Sequence, residues 1–117
     1  MKDRSISIIE LINEAACYGA GDGVRKNIKK SRSLYEKAAE HGSVRARYEI
    51  GMSYLFDNPK DLAVGIGYLR QAAKKGEPEA QKFLADCYAN GRYGVRRNKR
   101  FAALWNEKAE EKRRGQL

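Results

Sequence analysis

Few residues of this chain carry the side chains that covalent or metal chemistry requires. The 117-residue sequence has two cysteines, Cys17 and Cys87, and one histidine, His41. A reactive thiol needs a lowered pKa, but neither a CxxC spacing nor a histidine partner accompanies these cysteines. A single histidine cannot build a multi-ligand metal site without cysteine or carboxylate partners at metal-binding spacing. We therefore predict no catalytic and no metal-binding residues, and we expect both cysteines to be structural and unpaired.

A glycine-rich segment is the second candidate for chemistry. Gly19, Gly21 and Gly23 form the pattern Gly-x-Gly-x-Gly, which is reminiscent of loops that cradle phosphate. Nucleotide-binding loops follow a strand and carry a Lys-Ser/Thr pair, whereas this segment ends a helical stretch and has neither feature. We predict no cofactor, and we do not expect an enzyme.

Charge is the remaining feature with chemical consequences. The sequence contains 24 Lys plus Arg against 15 Asp plus Glu, a formal net charge of +9. The excess is concentrated in residues 25–32 and 92–100, which contain no acidic residue; the first run includes Arg32. One interpretation is a solvated basic edge that serves solubility, and the other is an edge that attracts an acidic partner. The predicted partner-binding residues are Arg25, Lys26, Lys29, Lys30, Arg92, Arg96, Arg97, Lys99 and Arg100.

The two basic segments occupy the same place in an internal repeat. Tyr18, Tyr54 and Tyr88 recur at a period of about 34 to 36 residues, and Gly42 and Gly76 close the first two copies. This period indicates a stack of helix pairs in which each pair buries its apolar face only against its neighbours. Three copies reach the minimum at which such an array is stable. We predict one all-α domain over residues 1–117, with repeats at about 8–42, 43–76 and 77–110 and a charged tail at 111–117.

Capping residues mark where the helices of this array begin. Asn27, Asp61 and Asn98 lie where a short polar side chain can cap the second helix of each copy. Ser7 with Glu10 three residues later forms a capping-box pattern at the start of the first helix.

Bulky apolar residues predict the packing of the helices. In the third copy a stripe at i, i+3, i+4 and i+8 predicts one buried face, made of Phe101, Leu104, Trp105 and Ala109. The repeated tyrosines, together with Tyr68, are expected to fill the space between the two helices of a pair. Three rings lie outside these repeat positions and are expected at the surface: Tyr35, Tyr48 and Tyr93.

At these motifs the chain resembles a known family. The pattern Tyr-x-x-Gly-x-Gly-Val-x-x-Asn from Tyr18 to Asn27, followed by Lys-Ala-Ala-Glu-x-Gly from Lys37 to Gly42, resembles the Sel-one-like repeat (SLR). The resemblance covers about Ile8 to Glu110 and implies a right-handed α/α solenoid of three helix-pair repeats. It also implies a module that binds other proteins and has no catalytic residues of its own.

Two surfaces and two classes of partner follow from this interpretation. Besides the basic edges, the concave face is expected to expose side chains of mixed charge: Asn13, Arg45, Arg47, Glu49, Lys82 and Asp86. The function that we favour is a non-enzymatic protein-binding module, in its sharpest form a small bacterial immunity or adaptor protein. Such a protein would neutralise or recruit a partner with an acidic surface, such as a toxin or effector. The alternative is a salt-sensitive nucleic-acid-binding protein.

The N-terminal residues bear on where the protein acts. Ser7 and Glu10 interrupt the first apolar stretch, so residues 1–10 offer neither a signal peptide nor a membrane span. We therefore expect a cytoplasmic protein that does not engage a membrane and is a monomer or a weak oligomer.

Overall fold

The protein is a stack of three helix pairs, seen in a computed structural model that describes residues 7–115. The helices of each pair, α1 with α2, α3 with α4 and α5 with α6, pack against each other, while α2–α3 and α4–α5 contacts join the pairs. The prediction of an all-α solenoid of helix pairs is confirmed. The helices are α1 Ile8–Ala20, α2 Ile28–Glu40, α3 Val44–Phe56, α4 Leu62–Lys74, α5 Pro78–Asn90 and α6 Lys99–Gly115.

The predicted capping residues begin the helices as expected. The Oδ1 atoms of Asn27, Asp61 and Asn98 accept hydrogen bonds from backbone N–H groups three residues later, at 3.0, 3.2 and 3.0 Å. Ser7 and Glu10 form both bonds of the capping box at the start of α1. A side-chain cap of this kind contributes about 1 kcal/mol to helix stability.

The turns between one pair and the next depend on glycine. Gly42 and Gly76 have φ angles of 99° and 97°, a left-handed conformation that side chains with a Cβ atom rarely adopt. Their N–H groups donate to the carbonyls of Ala39 and Ala73 at 2.9 and 3.0 Å, so the last turns of α2 and α4 are closed by backbone bonds.

One backbone hydrogen bond closes the loop inside every pair. The N–H group of the capping residue donates to the carbonyl of the repeated tyrosine: Asn27 to Tyr18 at 2.8 Å, Asp61 to Tyr54 at 2.9 Å, and Asn98 to Tyr88 at 2.8 Å. The three loops differ in length and composition, yet the same bond joins their ends. We call this bond the loop clasp. The Asn or Asp that donates this bond also caps the second helix of the pair with its side chain.

Small residues lie where the two helices of a pair cross. A Cβ atom added to Gly51 would lie 2.9 Å from the carbonyl oxygen of Gly65, and one added to Gly65 would lie 2.9 Å from that of Gly51. The backbones are therefore in contact at this crossing. In the first pair the hydroxyl of Ser31 donates to the carbonyl of Ala15 at 2.8 Å. The equivalent positions in the third pair are the buried Ala85 and Ala102.

The predicted apolar face of α6 is only partly buried. Ala109 is 5% exposed and Trp105 is half-buried, but Phe101 and Leu104 are each 44% exposed. The prediction was wrong for Phe101 and Leu104. Since the close helix crossing accepts only small side chains, α6 contacts α5 through residues such as Ala102, and the bulky residues lie beside the contact.

The tyrosines expected at the surface are instead partly or fully buried. Tyr35 is 8% exposed, and burial together with the nearby carboxylate of Glu49 raises the pKa of Tyr35 to about 12. Tyr48 is half-buried against the core. Tyr93 is also half-buried, and its ring lies 5.6 Å from that of Phe83. The surface prediction was therefore wrong for all three rings.

The repeated tyrosines pack as expected. The rings of Tyr54 and Tyr68, on the two helices of the second pair, stack with centroids 6.3 Å apart. Tyr18 and Tyr88 are half-buried at the corresponding positions of the other pairs.

We predict that the glycine contact at the α3–α4 crossing is required for stability. Gly65→Ala places a methyl group against a backbone carbonyl, and overpacking of this kind costs about 1–3 kcal/mol. Gly67→Ala in the same helix meets no atom within 4 Å and should stabilise the protein by up to about 1 kcal/mol through helix propensity. Urea unfolding should therefore separate the two variants by about 1–4 kcal/mol. Equal stabilities would show that the crossing has room for a side chain.

Candidate partner-binding site

The predicted basic residues are all exposed at one edge of the stack. Helices joined by short turns alternate in direction, so the loops inside the three pairs lie at the same edge. Residues 25–30 occupy the first loop and the start of α2, and residues 92–100 occupy the third loop and the start of α6. All nine predicted side chains within these ranges are exposed. We call the two sets the first and second basic clusters.

Most of these charges have no carboxylate partner. Arg92 is the exception, because its Nε atom lies 3.8 Å from Oδ2 of Asp86. The Nζ atom of Lys30 lies 5.0 Å from the centroid of the Tyr18 ring, which gives it a cation–π contact. Within residues 7–115, the eight predicted cations other than Arg92 make no ion pair. Their charge is therefore available to an anion from another molecule.

Helix polarity strengthens the positive potential at both clusters. Each cluster precedes and enters the first turn of a helix, where the macrodipole places about half a positive charge. Cations at this position are locally unfavourable by a few tenths to about 1 kcal/mol at low salt. Helix stability therefore does not explain why basic residues are concentrated here.

A loop of opposite character separates the two clusters. The second loop contains Asp57 and Asp61 with a single base, Lys60. Two repeats of packing place the clusters on the order of 20 Å apart, given about 10 Å per helix layer. This distance exceeds the Debye length of about 8 Å at physiological salt. The edge therefore has two separate anion-attracting clusters rather than one continuous basic surface.

Arg32 does not belong to the basic edge. It is 6% exposed, its Nε atom donates to Oγ of Ser53 at 2.9 Å, and its Nη2 atom donates to the carbonyls of Ser53 and Asp57 at 2.9 and 3.2 Å. Its guanidinium also lies 4.0 Å from the centroid of the Tyr54 ring. Arg32 thus joins α2 to the C-terminal end of α3, where a cation is favourable. The signal in the sequence for the burial of Arg32 was its spacing from Tyr35, because residues three apart lie on the same face of a helix.

The first-helix face, expected to be concave, has charges that satisfy one another. Arg45 bridges Glu49 at 3.2 Å and Glu79 at 3.0 Å, and its Nη1 atom lies 3.8 Å from Glu77. Burial and the neighbouring Glu79 raise the pKa of Glu77, whereas the hydrogen bond from Glu77 and the charge of Arg45 lower the pKa of Glu79. These ion pairs bind α3 to α5 and leave less charge for a partner.

The second-helix face contains grooves between successive second helices. Arg47 was expected on the concave face, but its Nη1 atom lies 3.4 Å from Oε1 of Gln71, and it lines a groove between α2 and α4 with Glu36 and Glu40. Placing Arg47 on the concave face was therefore wrong.

A second groove, between α4 and α6, was missed by the sequence analysis. It is lined by Arg70, Lys74, Tyr88, Phe101, Leu104, Trp105 and Lys108. The exposed apolar residues of α6 form part of its floor. Their helical spacing was visible in the sequence, but it was interpreted as core.

The cysteines and the histidine have structural surroundings. Both cysteines are free, as predicted; Cys87 is buried and Cys17 is half-buried. Burial, with a smaller effect from Asp86, raises the pKa of the Cys87 thiol to about 11, so the nucleophilic thiolate is scarce at neutral pH. His41 is exposed, and its Nδ1 atom lies 2.8 Å from the carbonyl of Lys37.

Metal-binding clusters and membrane-spanning helices are two further features that bear on function. Across residues 7–115, no three His, Cys, Asp or Glu side chains converge in a way that could hold a metal ion. None of the helices in this part of the chain combines the length and the apolar character needed to cross a membrane.

Comparison with known proteins identifies the repeats. The family model described as "Sel1 repeat" matches residues 15–43, 44–77 and 78–112. The chain belongs to the Sel1 repeat family. Of the solved structures, a Sel1 repeat protein from Oxalobacter formigenes is similar with a TM-score of 0.79 and 27% identity over 90% of this chain. A protective antigen of uropathogenic Escherichia coli strains, which displays an SLR fold, is similar with a TM-score of 0.78 and 28% identity over 89% of this chain.

These relatives are longer than this Sel1 repeat protein. The chain spans 44% and 22% of the two solved structures. An F-box protein of Arabidopsis thaliana is 34% identical over 64 residues, which is 55% of this chain and 18% of the plant protein. Sel1 repeat proteins typically mediate protein–protein interaction.

We predict that Arg32 stabilises the junction of the first two repeats. Arg32→Ala removes three hydrogen bonds from a buried guanidinium and leaves the carbonyls of Ser53 and Asp57 without this donor. Urea unfolding should show a loss of about 2–3 kcal/mol, because hydrogen bonds to charged groups contribute about 1.5–3 kcal/mol. As a control, Lys29→Ala removes an exposed cation three residues earlier and should change stability by less than about 0.5 kcal/mol. Equal effects in the two variants would contradict the structural role of Arg32.

We also predict that the two thiols differ in reactivity. At pH 8 Cys87 is buried and largely protonated, since its pKa is about 11, whereas Cys17 is partly accessible. A chromogenic disulfide reagent should therefore modify Cys17 first and Cys87 only when urea unfolds the chain. Cys17→Ser should abolish the early phase. Rapid modification of Cys87 in the folded Cys17→Ser variant would contradict the prediction.

Proposed function

We propose that this Sel1 repeat protein binds an acidic surface of a partner protein through the two basic clusters and that it is not an enzyme. The observation that carries the proposal is the set of eight exposed cations at one edge of the stack that make no ion pair within residues 7–115. These cations persist at helix N-termini, where local stability favours acids. Binding of a negatively charged partner accounts for cations at these positions, whereas packing does not.

The arrangement suits electrostatic steering. Exposed charges of one sign accelerate the encounter with an oppositely charged partner, and the effect weakens as salt screens them. Because the clusters are about 20 Å apart, a partner that engages both must present acidic groups over a similar span. Two clusters thereby select for the shape of the partner as well as its charge.

The ion pairs of the first-helix face make that face a weaker candidate for the same partner. A ligand that approaches Arg45 would have to compete with Glu49 and Glu79, which already neutralise it. At the basic edge no carboxylate of the described residues pairs with Arg25 or Arg96. The proposed order of recognition is therefore basic edge first, with the inner face contributing shape.

The role that we propose is that of a small immunity or adaptor protein of the cytoplasm, acting as a monomer or a weak oligomer. Its partner would be a toxin or effector with an acidic surface. The two free cysteines suit a reducing compartment. Nucleic acid is the weaker alternative, because acids follow the bases along α2 and α6 and would repel a continuous phosphate track: Glu36, Glu40, Glu107 and Glu111.

Capture of binding proteins tests the proposal most directly. The tagged chain and a charge-reversed variant would be incubated with lysate at moderate salt, and bound proteins would be compared by mass spectrometry. The proposal expects an acidic protein at stoichiometric level with the natural chain and a depleted level with the variant. Recovery of nucleic acid in place of such a protein would instead support the alternative.

We predict that charge reversal weakens partner binding without unfolding the protein. The variant carries Arg25→Glu, Lys26→Glu, Arg96→Glu and Arg97→Glu. Carboxylates are favourable near helix N-termini, so circular dichroism should show unchanged helicity. Calorimetry should show affinity reduced by an order of magnitude or more, because close charge pairs across an interface couple by about 1.5 kcal/mol or more.

A matched control reverses cations away from the basic edge. Lys75 and Arg114 are exposed, lie outside both clusters, and make no ion pair among the described residues. Lys75→Glu with Arg114→Glu should leave affinity nearly unchanged. Undiminished binding by the edge variant would assign partner recognition to another face of the stack.

A further inference from the structure

We propose that the groove between α4 and α6 binds a short acidic segment of a partner protein that inserts a bulky apolar side chain. The groove has a volume of about 300 Å³, near the lower end of ligand-binding pockets and suited to one or two side chains. The inference deepens the proposed function, because it assigns a second contact and a sequence type to the acidic partner.

The floor of the groove is apolar and held in place. The rings of Tyr88 and Phe101 meet edge to face with centroids 5.3 Å apart, and Leu104 and Trp105 continue the same lining. The Tyr88 hydroxyl accepts a hydrogen bond from Nη2 of Arg70 at 3.1 Å, which fixes the guanidinium at the rim. A preorganised aromatic floor loses little side-chain entropy when it is covered.

The rim decides the charge of the occupant. Among residues 7–115, the charged residues that line the groove are Arg70, Lys74 and Lys108, and no Asp or Glu lines it. When the partner inserts an apolar side chain into the groove, the residues on either side of that side chain lie close to Arg70, Lys74 and Lys108. Carboxylates beside the inserted side chain are therefore favoured, whereas basic residues there would be repelled.

This chemistry is not an automatic product of the repeat. The corresponding groove between α2 and α4 is lined by Glu36 and Glu40 as well as by Arg47, so its charges are mixed. Arg70 and Lys74 occupy the repeat positions of Glu36 and Glu40. The two grooves have the same architecture, but the first helix of the α2/α4 groove contributes acidic residues whereas the first helix of the α4/α6 groove contributes basic residues.

A following repeat would not cover this groove. Phe101 and Leu104 occupy the repeat positions of Val64 and Gly67 on α4. Although α4 packs between α3 and α5, Val64 is 38% exposed and Gly67 is half-exposed. This position therefore faces solvent even inside the stack.

The outer side of α6 also does not suit another helix pair. On α4, Ile66, Leu69 and Ala73 are buried in a cluster shared with α5. The residues at the same repeat positions of α6 are Ala103, Asn106 and Glu110, which are largely polar. These positions of α6 offer less apolar surface to a helix than those of α4 do. The occupant that we propose is therefore a segment of a partner protein.

The groove begins on α6 one residue after the second basic cluster ends. Arg100 directly precedes Phe101, so the cluster ends where the apolar floor begins. From Phe101 to Lys108 the floor and rim extend for about 10 Å along α6, at 1.5 Å per residue. An acidic partner steered to the edge can therefore place a neighbouring segment in the groove.

The intrinsic fluorescence of Trp105 provides the test. The sequence contains one tryptophan, and it lines the groove, so the emission of the protein reports on occupancy. The probe is a tryptophan-free synthetic peptide of about ten residues, in which a phenylalanine pair is flanked by glutamates. We expect a saturable blue shift that weakens as salt increases. A peptide with lysines in place of the glutamates should bind at least tenfold more weakly.

Variants of the groove separate this proposal from a general effect of charge. Arg70→Glu with Lys108→Glu, and separately Leu104→Gln, should each weaken the glutamate peptide at least tenfold while circular dichroism stays unchanged. Lys37→Glu is the matched control, because Lys37 occupies the repeat position of Lys108 on α2. This control should bind as the natural chain does.

Three results would overturn the inference: an emission that the glutamate peptide does not change, equal affinity for the lysine peptide, or an equal loss of affinity in Lys37→Glu. Failure of the proposed function is distinguishable. If reversal of the two basic clusters leaves partner binding intact while the peptide still shifts Trp105 emission, the groove stands and the edge does not. If edge reversal abolishes partner binding but the peptide never binds, the groove alone is refuted.

Discussion

The close crossing of the two helices in each repeat is the constraint on which the rest of the molecule depends. At the Gly51–Gly65 contact the backbones touch, which leaves no volume for side chains at the centre of the pair. Bulky residues must therefore pack to either side. On one side they form the apolar clusters between repeats, and on the other they produce ring stacks such as Tyr54 on Tyr68 and the exposed floor of the α4/α6 groove.

Local signals made much of the fold predictable, whereas packing between helices did not follow from them. Capping by Asn27 and the glycine turn at Gly42 involve residues close in sequence, so their patterns are legible along the chain. The face that a helix buries depends instead on how closely its partner approaches. That approach is set by small residues on both helices, which is why Phe101 was misplaced and the burial of Arg32 was not foreseen. The α4/α6 groove was missed for the same reason.

The surroundings of a charge, rather than the number of charges, decide what it can do. Arg45 and Arg25 are both exposed, yet Arg45 faces carboxylates from α5 while Arg25 faces none among the described residues. Arg32 differs again, because its guanidinium caps a helix end inside the stack. In the net charge of the sequence each of these arginines counts equally, as one positive charge. In the structure Arg32 and Arg45 hold helices together, whereas Arg25 is exposed to solvent.

The loop clasp separates the length of a loop from the geometry of the scaffold. Because one N–H···O bond joins both ends, the second loop is shorter than the third although Tyr54 and Tyr88 make the same backbone bond to the capping residue of the next helix. Doubling the length of a flexible loop adds only about 0.6 kcal/mol of closure entropy. The length and the charge of each loop at this edge can therefore change independently of the other loops. The three loops of this chain already differ in length and charge on one helical frame.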